Sequence, residues 1–154
     1  MQRLIELQTL FAEACSWLAL TVRETRCWNR VALHHLAYRQ LREKYPQLGS
    51  QMACNVIYAV CRSARQVYQG ENSPWKVEKD GTAPLPLLRF APTAPVYFDQ
   101  RTLSVRKGSL SLFTLDGRMQ FDIRLGAVQA RWFETAVLKE AVLERGRGGF
   151  SLTF

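Results

Sequence analysis

The sequence predicts an α+β protein in which a three-helix bundle precedes a small, mostly antiparallel β-barrel. Two observations support this fold class. In the first 70 residues the only helix breakers are Pro46, Gly49 and Gly70, and apolar residues recur there at helical spacing. After residue 86 apolar and polar residues alternate, which is typical of half-buried strands. A chain of 154 residues is long enough to bury roughly 70% of its unfolded surface.

Three apolar stripes predict the three helices, because apolar residues three and four positions apart share one face of a helix. The stripe over residues 53–68 is the clearest, and another covers residues 4–22. The remaining stripe covers residues 31–41 and is expected to place five side chains on the inner face of its helix: Val31, Ala32, His35, Tyr38 and Leu41.

The second and third helices are predicted to form a helix-turn-helix, because Pro46 and Gly49 interrupt the helical pattern between them. Ser50 is expected to cap the third helix, since a serine hydroxyl can accept a hydrogen bond from a free backbone amide at a helix start. A polar stretch rich in breakers follows this helix and predicts a linker. The expected domain division is therefore 1–70, helical; 71–86, linker; and 87–154, barrel.

Period-two patterns after the linker predict short strands. They cover residues 96–98, 103–105, 110–112, 119–125, 136–144 and 150–154. Asp116 and Gly117 lie between two of these runs and predict a tight hairpin turn, because glycine adopts the positive φ that such a turn needs. The segment 145–149, Arg-Gly-Arg-Gly-Gly, predicts a second turn. Short strands joined by tight turns are typical of a small barrel.

The charge of the chain favours a polyanionic partner. The net charge is +8 and the pI is near 9.7, so nucleic acid is the first expectation and a membrane surface the second. No apolar run approaches the ~20 residues of a membrane span, and the first residues do not resemble a secretory signal. We therefore expect a cytoplasmic protein whose four cysteines remain thiols.

Catalytic and metal-binding patterns are not found in the sequence. His34 and His35 are adjacent and point about 100° apart on a helix, so they cannot grip one metal ion together as an i, i+4 pair would. Asp99 and Asp116 lie at predicted turns, where a short carboxylate hydrogen-bonds the backbone. We expect no enzymatic activity, no metal ion and no cofactor.

Two groups of polar and basic residues are candidates for binding nucleic acid. The outer face of the third helix is expected to present Gln51, Asn55, Tyr58, Arg62 and Arg65. Amides can reach base edges, a tyrosine can stack on bases, and arginines suit phosphates. Turns and polar strand positions of the barrel present Arg101, Arg106, Lys107, Arg118, Arg145 and Arg147. An ordinary solvated surface would also account for both groups.

Three segments resemble transposon-encoded TnpB proteins and the related type V CRISPR effectors. The segment 99–126 is similar to their β-domain signature, with Ser-Leu-Phe-Thr-Leu-Asp-Gly-Arg at its centre. The segment 41–69 resembles their helical segment, in which a Pro-Leu-x-Ser-Gln turn opens a helix. The segment 139–154 resembles the two strands that close their barrel. The RuvC-like nuclease domain that follows in the family, with its zinc ribbon, is not expected here.

The resemblance implies a recognition module that binds a guide-like RNA through its barrel and places its helices against a nucleic-acid duplex. Structured RNA is the expected partner and DNA the second, and the residues implied to face the duplex are Gln51 and Asn55. The alternative is a protein-interaction or regulatory module. Such a module would assemble with a separate nuclease chain or be the remnant of a transposase-associated gene.

Overall fold

The structure is a computed structural model that describes residues 1–78, 81–106 and 108–154. The three predicted helices are confirmed as α1 (Gln2–Thr25), α2 (Arg30–Lys44) and α3 (Gly49–Gln69). A single 3₁₀ turn, Pro46–Leu48, joins α2 to α3. A short helix that the sequence patterns do not predict, α4, covers Ala127–Thr135.

In the part of the chain that the structure describes, six strands follow the three long helices. They are β1 (Val96–Phe98), β2 (Leu103–Arg106), β3 (Ser109–Thr114), β4 (Gly117–Asp122), β5 (Ala141–Gly146) and β6 (Gly149–Thr153). All described pairs are antiparallel, and they form two three-stranded sheets of order β1-β5-β6 and β2-β3-β4. The α+β class is thus confirmed.

The predicted barrel is wrong. Among the described residues the two sheets do not pair with each other, so that β1, β2, β4 and β6 each have only one strand neighbour. After β4 the chain forms α4 and returns as β5, which pairs with β1 instead of with β4. A closed barrel needs every strand to pair on both edges.

Hairpin turns are confirmed at both predicted places, but their bounds differ: residues 115–116 connect β3 to β4, and residues 147–148 connect β5 to β6. Gly117 pairs with Thr114 across the β3–β4 turn and has φ 114°. Gly149 pairs with Gly146 across the β5–β6 turn and has φ 127°. Both φ values lie in a region of backbone conformation that residues with a Cβ atom rarely adopt.

Two local expectations for the helices are wrong. Helix α2 buries Leu33, Ala37 and Leu41, so that Leu41 is the only buried member of the expected inner stripe. Val31 is 66% exposed. The reason is that α2 has apolar residues on several faces, including the exposed Leu36, and a different face from the expected one packs against the core. Ser50 lies exposed inside α3, which begins at Gly49 without a side-chain cap.

One hydrophobic core spans the helices and the strands. It combines residues of all three long helices with Val96, Phe98, Leu103, Leu112 and Leu143 of the sheets. The described part of segment 71–86 contains no helix or strand. Its far end is held to α3, because the Tyr68 hydroxyl donates a hydrogen bond to the Pro86 carbonyl over 2.5 Å. One side of helix α3 lies in the core, and another side lies near β1 and its flanking segments.

Candidate nucleic-acid interface

The first half of α3 meets the turn between β1 and β2. Asn55 is only 5% exposed, so the expectation that it lies on the outer face of the helix is wrong. The turn covers it, and its amide donates to Thr102 Oγ1 at 3.3 Å and to Met52 Sδ at 3.6 Å. An amide held this way positions the turn and does not reach a base edge.

The predicted turn role of Asp99 is confirmed. Its Oδ1 accepts hydrogen bonds from the backbone amides of Arg101 and Thr102, both at 3.1 Å. Its Oδ2 accepts one from Gln51 Nε2 at 2.5 Å. The Gln51 Oε1 in turn accepts a hydrogen bond from the Arg101 guanidinium at 3.1 Å. Gln51 is half-buried, and both the nitrogen and the oxygen of its amide are hydrogen-bonded. Its bond to the guanidinium orients Arg101.

A groove lies next to this network, between α3, β1 and the segment that leads into β5. Arg62 adjoins this groove through its hydrogen bonds to Tyr58 and Glu140. We call the groove, together with Arg62, the Tyr groove; its cavity measures about 270 Å³ and is lined by Arg30, Asn55, Tyr58, Tyr97, Phe98, Asp99, Lys139 and Glu140. The Tyr58 and Tyr97 rings meet edge to face, with centroids 5.7 Å apart. Two rings fixed against each other form a rigid aromatic surface at low cost in conformational entropy.

Each tyrosine of the Tyr groove carries an arginine. The Arg30 guanidinium lies 5.3 Å from the centre of the Tyr58 ring, and the Arg62 guanidinium lies 5.5 Å from that of Tyr97. Arg62 also donates hydrogen bonds to the Tyr58 hydroxyl and to Glu140 Oε1, both at 3.1 Å. The hydrogen bond with Tyr58 and the charge of Glu140 raise the pKa of Arg62. Burial raises the pKa of Tyr97, which therefore remains a neutral phenol.

The structure brings two of the predicted strand arginines together. Arg118 donates to Ser111 Oγ at 2.8 Å and to the backbone carbonyl of Arg101 at 3.3 Å. Arg101 and Arg118 therefore form a basic pair next to Gln51. Three other predicted residues, Arg106, Arg145 and Arg147, are exposed at strand ends or in a turn.

Two further predicted residues lie elsewhere. Lys107 falls outside the described residues. Arg65 is exposed on α3 but lines a different cleft from Tyr58 and Arg62, together with Trp28.

Sequence patterns do not reveal four residues of the Tyr groove: Arg30, Tyr97, Lys139 and Glu140. Tyr97 carries the one usable signal. It lies between the buried Val96 and Phe98, so the alternation of the strand turns its ring away from the core. Nothing local marks Glu140, whose partner Arg62 is 78 residues away in the chain.

Over the described ranges no group of three His, Cys, Asp or Glu side chains is placed to hold a metal ion. None of the described helices combines the length and the apolar character that a membrane crossing requires. Comparison with protein-family models found no match, and comparison with curated proteins found no significant similarity.

Proposed function

We propose that this chain is an RNA-binding module without catalytic activity of its own, similar in role to the recognition and wedge regions of TnpB-like proteins. The observation that carries the proposal is the Tyr groove, in which two tyrosine rings contact each other and each has a guanidinium group over it. Stacked aromatics next to cations are the usual means by which proteins hold unpaired bases and their phosphates.

The groove favours unpaired RNA over duplex DNA. Bases in loops, bulges and ends can leave the helix and stack on an aromatic ring, whereas bases inside a duplex cannot. Tyr58 is half-buried, and the Arg30 guanidinium beside it could receive the phosphate of a stacked nucleotide. Structured RNA with an unpaired loop is therefore the proposed ligand, and DNA is the second.

Other basic residues would extend the contact along the RNA backbone. Arg101 and Arg118 lie on the β2–β3 side of the molecule, next to Gln51. We assign Gln51 and Asn55 to stabilising the β1–β2 turn and not to reading bases, because their amides already donate hydrogen bonds to Asp99 and Thr102. Arg106, Lys107, Arg145 and Arg147 would supply sequence-independent phosphate contacts.

The test compares Tyr58 variants for binding to a hairpin RNA with an unpaired loop, by fluorescence anisotropy over a salt series. Tyr58→Leu should weaken binding by about 5- to 150-fold, the usual range for removing one stacked base. Tyr58→Phe keeps the ring and should bind within about twofold of wild type. If Tyr58→Leu binds as tightly as wild type, the groove is not the RNA site.

A charge variant tests the same groove through its salt dependence. Arg30→Gln should reduce the slope of log affinity against log salt by about one, the effect of losing the phosphate contact proposed for Arg30. Arg131→Gln is the matched control, because Arg131 is exposed on α4 and does not line the groove. An equal change in both variants would mean that only the net charge matters.

A protein-interaction module is the second candidate, and α4 is the observation that favours it. None of its residues is buried, and Val128 and Trp132 are 70% and 69% exposed. Contiguous exposed apolar side chains often mark protein contacts. If this candidate is right, the partner, such as a separate nuclease chain, should stay bound at high salt, and Trp132→Ser should release it.

A further inference from the structure

A second cleft lies where α1 ends and α2 begins, against the last turns of α3. We call it the Trp28 cleft; it measures about 440 Å³ and is lined by Arg26, Cys27, Trp28, Asn29, Arg65 and Gln69. That volume falls in the range of small-molecule sites, about 300–1,000 Å³. The cleft does not share a lining residue with the Tyr groove.

The Trp28 cleft is cationic. Its lining includes two arginines and no carboxylate within the described residues. The Arg65 side chain is exposed, and over the described ranges it has no ion pair. Arg26 is held in place, because its guanidinium donates to the carbonyls of Ala83 at 2.9 Å and Gly81 at 2.8 Å. These two bonds leave further donors of its five free to meet a ligand.

The start of α2 adds to the positive potential. Asn29 caps this helix by accepting hydrogen bonds from the amides of Val31 and Ala32 at 3.0 and 3.1 Å. The N-terminus of a 15-residue helix carries a partial positive charge, which favours an anion nearby. The Asn29 Oδ1 is occupied by the cap, so its Nδ2 remains available as a donor.

The aromatic wall of the cleft is fixed. Trp28 is half-buried, and its ring lies 5.2 Å from that of Tyr68 at an angle of 51°. Tyr68 is itself fully buried and bonded to the Pro86 carbonyl. A rigid indole beside guanidinium and amide groups offers a surface for a flat ring that carries an anion.

We propose that the Trp28 cleft binds a nucleoside monophosphate unit, with its phosphate on Arg65 and its base against Trp28. The amides of Asn29 and Gln69 would supply hydrogen bonds to the base or the ribose. The unit is either a free nucleotide or the 5′-phosphorylated nucleotide of an RNA, because both present the same chemistry. The proposal does not depend on RNA binding in the Tyr groove.

Cys27 provides the readout, since this residue lines the cleft and is half-buried. The rate of its alkylation by iodoacetamide is followed by mass spectrometry with and without adenosine monophosphate. Cys54, which lies on α3 outside the cleft and is also half-buried, serves as the internal reference. We expect the nucleotide to slow alkylation of Cys27 at least fivefold at saturation and to leave the rate at Cys54 unchanged.

Variants and related probes then decide the proposal. Arg65→Gln should weaken the protection by adenosine monophosphate at least tenfold, whereas Arg131→Gln should not change it. Protection by a 5′-phosphorylated RNA but not by its 5′-hydroxyl form would identify an RNA end as the source. Protection by adenosine monophosphate alone would identify a free nucleotide.

Three outcomes would overturn the proposal: no protection of Cys27 by the nucleotide, full protection in Arg65→Gln, or equal protection by inorganic phosphate. The last would mean that the base is not recognised. Tyr58→Leu should keep the protection of Cys27, so that a failure of the Tyr groove and a failure of the Trp28 cleft are seen separately.

Discussion

At the scale of single residues, Arg3 and Asp116 tie the first turn of α1 to the β3–β4 turn. The Arg3 Nε lies 2.6 Å from Asp116 Oδ1, and the same oxygen accepts a hydrogen bond from the Thr114 hydroxyl at 2.9 Å. The hydrogen bond from Thr114, followed by that from Arg3, lowers the pKa of Asp116. Its side chain is 65% exposed, so water and salt screen much of the interaction.

The lowered pKa predicts how Asp116 affects stability as pH changes. Because the folded state holds this carboxylate more acidic than its ordinary value of 3.8, the stabilisation is complete above that pH and is lost as pH falls through the folded pKa. Asp116→Asn should therefore lower the free energy of unfolding near neutral pH, and the difference from wild type should shrink below pH 3.8. Urea denaturation of wild type and of Asp116→Asn at a series of pH values measures this difference in the free energy of unfolding.

Asp122→Asn is the control for this prediction. Asp122 is also exposed on the same hairpin, and within the described residues it makes no ion pair. A difference between wild type and Asp116→Asn that stays constant with pH would contradict the prediction.

The residue-scale interpretations from sequence succeeded where the chemistry is local. The turn role of Asp99 depends on backbone amides two and three positions further on, and it was predictable from the residue type and its place between strands. The burial of Asn55 could not be predicted from the sequence. It depends on Thr102, which covers it from 47 residues away.

At the scale of elements, the sequence predicts a helix or strand best when one face of it is buried. Helix α3 buries ten residues, and its apolar ones recur at intervals of three and four, so its period of 3.6 is clear. Helix α4 buries none and leaves no such pattern, which is why residues 127–135 were not predicted as helix. Strand partners were the least predictable, because β1 pairs with β5 across α4 and a whole second sheet.

The β3–β4 hairpin gives a prediction at this scale. Gly117→Val should lower the free energy of unfolding by about 1–3 kcal/mol, because a β-branched residue is strained at a φ of 114°. Apart from its two chain neighbours, no described residue has a heavy atom within 4 Å of a Cβ added at Gly117, so the cost comes from the backbone and not from a clash. Thermal or urea denaturation measures the change.

Gly146→Val is the matched control, since Gly146 has equally open surroundings and no positive φ. Valine suits a strand, and Gly146 ends β5. We expect this variant to be much closer to wild type in stability. Equal losses at Gly117 and Gly146 would show that the turn does not depend on the conformational freedom of glycine.

At the scale of the whole molecule, helices and strands share one hydrophobic core. Leu103 of β2 is fully buried in the same cluster as Leu7 of α1 and Val56 of α3. Polar contacts also cross between the layers, because Gln8 of α1 donates to the carbonyls of Thr93 and Ala94 at 3.0 Å. A shared core of this kind makes the stability of one layer depend on the other.

The last prediction follows from this shared core. Leu103→Ala should lower the free energy of unfolding by about 2–5 kcal/mol, because it leaves a cavity in the core. Two probes follow the unfolding in urea: the helical circular-dichroism signal and the hydrogen exchange of the β2–β4 amides. If helices and strands unfold together, the urea midpoints of both transitions should decrease by the same amount. Val137→Ala, at a side chain that is 73% exposed, should change neither. Strands that open at lower urea while the helices stay folded would instead mean that residues 1–70 and 87–154 fold as separate domains, the division that the change in composition near Gly70 predicts.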